Sequence, residues 1–487
     1  MGDDAHPLDL DACALSAAIH ARRVSCRELM LAFLARVELL NPAVNAIVSL
    51  RPADDLLAEA DAHDAELARG ASRGWMHGFP MAIKDMAFTA GVRTTLGSPL
   101  LADHVPAQDA IMVERMKRAG GIVVGKTNTP EFGLGSHTYN TVFGVTRNAW
   151  DRTRTAGGSS GGAAVSLALN MQPVADGSDF MGSLRNPAAF GNVFGMRPSA
   201  GRVPAGPLGD QFVSQLGTEG PMGRRVHDLA MLLSVQAGRD PRAPLSIAED
   251  GSTFAQPLDS GVRGLRIGWL GDLQGHLPLE RGIAEVCGDA LRRLEGLGCA
   301  VEATAPGFDP EQVWRTWLAW RRWLVAGRLA PFFADPARRE LLKPAARWEA
   351  EQGSGLSAAD VYAASLQRTA FYHRLLRLFE RHDFLALPSA QVWPFDATLD
   401  WPTAIEGVAM DTYHRWMEVT IYATLGGLPA ISVPAGFDAR GLPMGLQLIG
   451  PPQGDFVLLR LAAAYERTIG ELLARRPALA TGTRLAA

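Results

Sequence analysis

Residues 126–220 constrain this chain more than any other stretch, because they are dense in Gly, Ser, Asn, Thr and Pro yet contain apolar segments such as 163–169. A structureless loop of that length is rare inside a compact domain. The stretch therefore reads as buried backbone arranged around a site. Within it, Thr155-Ala-Gly-Gly-Ser159-Ser160-Gly-Gly162 and Asp176-Gly-Ser-Asp179-Phe-Met-Gly182-Ser183-Leu-Arg185-Asn-Pro187 each set a serine among glycines. Glycine admits backbone angles and close approaches that a side chain would block. A serine in that setting can sit on a tight turn, with neighbouring N–H groups free to face a developing oxyanion. A flexible linker would not repeat the arrangement, nor run straight into an apolar, helix-like segment.

The flanks predict helices and strands in alternation. Helices are expected over 9–70, where Ser25-Cys-Arg-Glu28 has the spacing of a capping box. Leu29, Met30, Phe33, Leu34 and Val37 then recur at helical spacing as a buried stripe. Short buried strands are expected at 80–83 and 121–124, with a helix over 109–119 between them. Further strands are expected at 265–269, 384–387, 430–433 and 445–449, and helices at 281–297, 310–330, 358–381 and 455–471. Such alternation indicates an α/β sandwich. With no fixed-period repeat and no clean linker, one domain over 1–487 is expected, with a helical insertion at about 308–380.

Apolar residues make up 47 % of the chain and charged residues 20 %, enough for a substantial core. The net charge of -4 comes from interspersed acids and bases, without the footprint of a nucleic-acid or membrane partner. The four cysteines, Cys13, Cys26, Cys287 and Cys299, show no C-x-x-C pairing, which argues against a disulfide framework or a zinc site and for a reducing compartment. The first ten residues carry Asp3 and Asp4 instead of a basic region before an apolar run, unlike a secretory signal. No apolar run approaches the roughly 20 residues of a membrane span. A cytoplasmic location is the expectation.

The two serine blocks do not stand alone. Upstream lie Gly78-Phe-Pro80-Met-Ala-Ile-Lys84-Asp85 and Gly125-Lys-Thr-Asn128-Thr-Pro-Glu131-Phe; downstream lie Gly220-Pro221, Gly427-Leu-Pro429-Ala-Ile-Ser-Val-Pro434 and Gly441-Leu-Pro443-Met-Gly-Leu-Gln447. In this order, over roughly residues 20–470, they closely resemble the amidase signature family. The resemblance implies a large mixed β-sheet sandwiched between helices, with a signature core at about 78–220. It implies Ser183 as nucleophile, Ser159 as a bridging serine behind a cis Gly158–Ser159 peptide, and Lys84 as base. It also implies the N–H groups of Phe180, Met181, Gly182 and Ser183 as an oxyanion hole. One position departs from the family pattern: Met181 stands where glycine is usual, so a bulky side chain borders the oxyanion turn.

The chemistry suits those roles. A serine hydroxyl is a weak nucleophile until a neighbour accepts its proton. Lysine accepts one only when neutral, and burial favours that form by penalising the ammonium. Serine–lysine catalysis needs no histidine, and neither a cofactor nor a metal is implied. Ser160 reads as turn support, and Asp179 and Arg185 as a supporting polar network.

Other motifs carry weaker readings. Gly120 to Thr127 formally match G-x-x-x-x-G-K-[ST], but Ile122, Val123 and Val124 look like strand, against a phosphate loop. Gly157 to Gly161 match G-x-S-x-G, the nucleophile elbow, which would need a preceding strand and a later histidine; His373, His382 and His414 have no distinctive setting. Trp314, Trp317, Trp320 and Trp323 recur every third residue and read as core packing of the insertion, with an aromatic wall over the site as the alternative. Residues 203–216 could form a mobile rim. The expected function is hydrolysis of linear carboxamides, aryl amides among them, with esters or carbamates also accepted and a small-molecule amide as partner. The rivals are the glutaminase component of a tRNA-dependent amidotransferase and a catalytically silent binding protein on the same scaffold.

Overall fold

The computed structural model describes residues 6–207 and 209–481. Asp3 and Asp4 of the N-terminal reading, and Leu208 within the expected rim, lie outside the described residues. Helix α1 (Cys26–Val44) starts at the capping box, with Ser25 and Glu28 each bonding the other's backbone. Its expected stripe is buried at Leu29, Met30, Phe33 and Val37, while Leu34 is half-buried.

Two sheets organise the chain. In the smaller, β1 (Pro80–Lys84) runs parallel to β2 (Ile122–Thr127), and the short strand Ile47–Val48 closes it antiparallel. The larger contains β3 (Ala175–Asp179), β4 (Phe194–Arg197), β5 (Thr218–Gly223), β6 (Arg266–Trp269), β7 (Ala300–Ala303), β8 (Phe384–Pro388), β9 (Ala430–Phe437) and β10 (Pro443–Ile449). Its eight strands lie in the order β7-β6-β8-β10-β9-β4-β5-β3. The β7–β6 and β6–β8 pairs are parallel and the others antiparallel, so the sheet is mixed. Between β7 and β8 the chain is largely helical, from α4 (Pro310–Phe333) through Pro336–Glu340 and Pro344–Ser354 to Ala358–Arg381. Among the described residues no helix is long and apolar enough to cross a membrane.

The expected strands at 80–83, 121–124, 265–269, 384–387, 430–433 and 445–449 all form, within a few residues. β3, β4, β5, β7 and the short strand Ile47–Val48 had no sequence counterpart. The sequences of the first three, such as Ala175-Asp-Gly-Ser-Asp179, are poor strand formers, and pairing with neighbours decides their conformation.

Edge strand β3 meets the end of β1, where the backbone N–H of Lys84 donates to both Asp176 carboxylate oxygens at 3.2 Å. Two short helices start beside this seam: α2 (Gly161–Ala168) directly after the Ser159–Ser160 turn, and α3 (Arg185–Gly191) directly after Ser183. The packing leaves no room for side chains at two glycines. A Cβ at Gly177 would lie 2.5 Å from Leu184 Cδ2 and 2.7 Å from Ser160 Oγ. At Gly182, φ is +82° and a Cβ would lie 2.5 Å from Thr420 Cγ2.

Gly177→Ala is therefore expected to lower stability by about 1–3 kcal/mol through overpacking, read from the urea midpoint. Gly327→Ala, at an open position inside a helix, should instead raise it by about 0.5–1 kcal/mol. Equal effects at the two glycines would contradict the packing at Ser160.

Candidate active site

Lys84 ends β1 with its side chain buried at the seam between the sheets. Its Nζ lies 2.7 Å from Ser159 Oγ, 2.8 Å from Ser160 Oγ, 3.0 Å from Ser178 Oγ and 3.3 Å from the Ser178 carbonyl. All four neighbours are neutral, and among the described residues no carboxylate touches the amine. Burial lowers the Lys84 pKa from 10.5 to about 7, against the opposing charges of Asp176, Asp179 and Glu219. A neutral amine keeps a lone pair that an ammonium lacks, so it can accept a proton from one hydroxyl while donating to others.

The Gly158–Ser159 peptide is cis, as the resemblance implied. Ser136 Oγ donates to the Gly158 carbonyl at 2.7 Å and Thr138 Oγ1 to the Gly157 carbonyl at 2.7 Å, fixing the turn from outside. Ser183 lies on the next turn, tied to the first by the Ser160 N–H, which donates to the Ser183 carbonyl at 3.2 Å. Its hydroxyl bonds no described residue, so the Ser183–Ser159 leg is not closed as a hydrogen bond in this structure. Ser183 does not cap a helix either: Leu184 holds the N-cap position of α3, without a side-chain cap.

The Asp179 carboxylate shapes the oxyanion turn. It accepts the Gly182 N–H at 2.8 Å and the Leu184 N–H at 3.2 Å. The Gly182 N–H is thus already committed to a carboxylate, whereas those of Phe180, Met181 and Ser183, the other members of the expected oxyanion set, bond no described acceptor. Arg185 grips the same carboxylate with two bonds of 2.9 Å, and Arg197 lies 3.5 Å away, all three side chains being fully buried. Burial alone would push the Asp179 carboxyl up, but Arg185 and then Arg197 overcome it and hold the group well below the usual carboxylate range. The Met181 side chain is buried away from the turn, with its sulfur 3.8 Å from Arg321, which is itself held by Glu349 at 2.5 Å and Tyr413 at 2.6 Å.

A cavity of about 170 Å³ opens on this cluster, with Lys84, Ser159, Ser178, Asp179 and Phe180 in its wall. It adjoins an apolar compartment of about 220 Å³ lined by Phe88, Leu96, Val325, Leu329 and Phe332. Met86, Phe132, Leu134, Glu219 and Arg328 face both. Ala205 and Ser214 line the first, and Gly206 and Pro207 the second, so part of the expected rim over 203–216 borders them.

Several weaker readings are decided here. None of the four tryptophans lines either compartment; Trp314, Trp317 and Trp320 are buried in the core, and Trp317 packs on Phe180 at 5.5 Å. The phosphate-loop match is strand β2, with Lys126 buried and donating to the Ala87 carbonyl at 2.6 Å and Thr89 at 2.9 Å. No strand leads into Gly157, and His373, His382 and His414 line neither compartment. Sequence reasoning gave Ser160 too small a place, since it touches the amine directly, and missed Ser178, Glu219 and Arg328. Ser178 shares a strand face with Asp176, a relation that exists only once β3 is paired. Glu219 pairs in register with Ser178. Burial, with Asp176 adding repulsion, pushes its pKa up to about 8 against the pull of Lys84, and its Oε2 has no partner.

The family model for amidases matches residues 28–459. The chain is 34 % identical to the acylamidase of Rhodococcus erythropolis, over 94 % of this chain and 95 % of the relative. It is 35 % identical to a component of the glutamyl-tRNA(Gln) amidotransferase of Moorella thermoacetica, over 96 % and 98 % respectively. It also superposes on the solved structure of a bacterial aryl acylamidase of the amidase signature family with a TM-score of 0.89, at 29 % identity, covering 98 % of this chain and 99 % of that one.

Replacing Asp179 by Asn keeps its shape but leaves two buried guanidinium groups without their counter-charge. Asp179→Asn should cost about 3–5 kcal/mol in urea unfolding. A loss below about 1 kcal/mol would mean that other groups already neutralise Arg185 and Arg197.

Proposed function

The chain belongs to the amidase family, and we propose that it hydrolyses linear carboxamides, aryl amides among them, through an acyl-enzyme on Ser183. Family membership makes it a hydrolase of carbon–nitrogen bonds. The observation that carries the finer reading is the buried Lys84 amine, surrounded by hydroxyls and 2.7 Å from Ser159. In this reading neutral Lys84 takes a proton from Ser159 as Ser159 takes one from Ser183, and Ser183 Oγ attacks the amide carbon. Apo geometry of such contacts is often loose and tightens with substrate, which accommodates the unclosed Ser183–Ser159 leg. The carbonyl oxygen gains negative charge facing the N–H groups of Phe180, Met181 and Ser183. The C–N bond breaks as the relay returns the proton to the departing nitrogen, and water then hydrolyses the acyl-enzyme along the same path. Esters and carbamates offer the same carbonyl chemistry and fall within the proposal.

The amidotransferase relatives are as similar in sequence as the acylamidase, so identity alone does not choose between an amidase and a glutaminase. The wall does favour one. Phe88, Leu96, Phe132, Leu134, Val325, Leu329 and Phe332 suit an apolar substituent, which glutamine lacks.

Ser183→Ala should abolish anilide turnover, and a fluorophosphonate should label Ser183 of the wild type in peptide mass spectra. A label on Ser159 would refute the assignment of roles.

Because the base must be neutral, log kcat/KM should rise with a slope of one below about pH 7, the Lys84 value, and level off above it. Asp176, Asp179 and Glu219 all act to raise that midpoint. A profile flat from pH 5 to 9 would exclude Lys84 as the base.

A further inference from the structure

Among the described residues the apolar compartment is lined by just two charged ones, Glu219 and Arg328, and both also face the cavity beside Lys84 and Ser159. They stand at the neck between the two spaces. Arg328 shares one face of α4 with Val325, Leu329 and Phe332, at helical spacing. Its guanidinium lies over the Phe180 ring, 5.2 Å from the centroid, beside the oxyanion turn. Among the described residues it makes no hydrogen bond and no ion pair, and no contact joins it to Glu219. Stacking occupies the face of a guanidinium and leaves its N–H edge available, the edge that grips a carboxylate with two bonds. Burial, with Asp176 adding repulsion, raises the Glu219 pKa and so favours its neutral form at the neck.

We propose that Arg328 determines specificity, and that the preferred substrates are amides carrying a carboxylate between the scissile bond and an apolar group. The inference rests on the amide-hydrolysing site proposed above. The carboxylate meets Arg328 at the neck while the apolar group fills the compartment behind it.

Two matched pairs test this with either side of the bond in the neck. On the acyl side, benzylmalonamic acid is compared with 3-phenylpropanamide; on the amine side, N-acetylphenylalanine is compared with N-acetylphenethylamine. In at least one pair the wild type should favour the acid by tenfold or more in kcat/KM. Arg328→Gln should bring that ratio to about one, and Arg328→Lys should keep part of it. A ratio near one in both wild-type pairs, or a preference surviving in Arg328→Gln, overturns the proposal. So does better turnover of glutamine, whose carboxylate comes with an ammonium and no apolar group, than of benzylmalonamic acid. Calorimetry on full-length Ser183→Ala, with and without Arg328→Gln, reads the same preference without turnover. Equal binding of acid and neutral partners overturns the role of Arg328 alone, whereas failure of the wild type to cleave any of the four amides or a simple anilide overturns the proposed reaction alone.

Discussion

The site depends on the removal of one lysine amine from water. Lys84 has neutral hydroxyl and carbonyl oxygens around it, so nothing at contact distance favours an extra proton. Three acids lie near enough to act on it, yet each is diverted. Asp179 directs its charge to Arg185 and Arg197. Asp176 accepts the backbone N–H of Lys84, and burial raises its own pKa to about 6. Glu219 is raised further, to about 8. A carboxylate at hydrogen-bond distance from Nζ would instead hold the ammonium and leave no lone pair for a hydroxyl proton.

That environment requires the seam between the two sheets. β1 supplies the amine at its end, β3 supplies Asp176, Ser178 and Asp179 along one edge, and the serine turns enter as the chain leaves for α2 and α3. The tight fit of Gly177 beneath Ser160 holds the first turn against the amine, and that of Gly182 against Thr420 fixes the second turn, which is tied to the first through the Ser160 N–H. Asp179 links the parts: it fixes the oxyanion turn through Gly182 and Leu184, and Arg185 carries the linkage on to Gln447 of β10. The interior of the large sheet thus braces a site at its edge.

Much of this was legible in the residues, for reasons specific to each. Apolar runs with turn residues at their ends marked β1, β2, β6, β8, β9 and β10, because all but β6 are buried along most of their length and β6 is buried at its centre. Lys84 and Ser159, which the structure brings to 2.7 Å, could be named through the family resemblance because glycine turns and motif order are local properties of the chain; Ser183 was named the same way, and its hydroxyl bonds no described residue. The strands β3 and β5 were not legible, since polar, glycine-bearing sequences take strand form only through their partners. Ser178 and Glu219 were lost with them. The commitment of the Gly182 N–H to Asp179 was equally hidden, because an acceptor three residues away becomes visible only once the turn is folded.

Helix α4 shows the same limit in another form. Tryptophan attracts attention as a large recognition surface, but Trp314, Trp317 and Trp320 occupy the turns that pack into the core. The wall of the cavity comes from the following turns, where Val325, Arg328, Leu329 and Phe332 are ordinary residues taken one by one. One helix therefore has two duties along its length. The tryptophan turns anchor it against Phe180, which shares a cavity wall with Lys84 and Ser159, and the later turns line the apolar compartment. Substitutions in the later turns can change the lining without disturbing the tryptophan core. The two stretches of the helix meet at Phe180, whose ring contacts both Trp317 and Arg328.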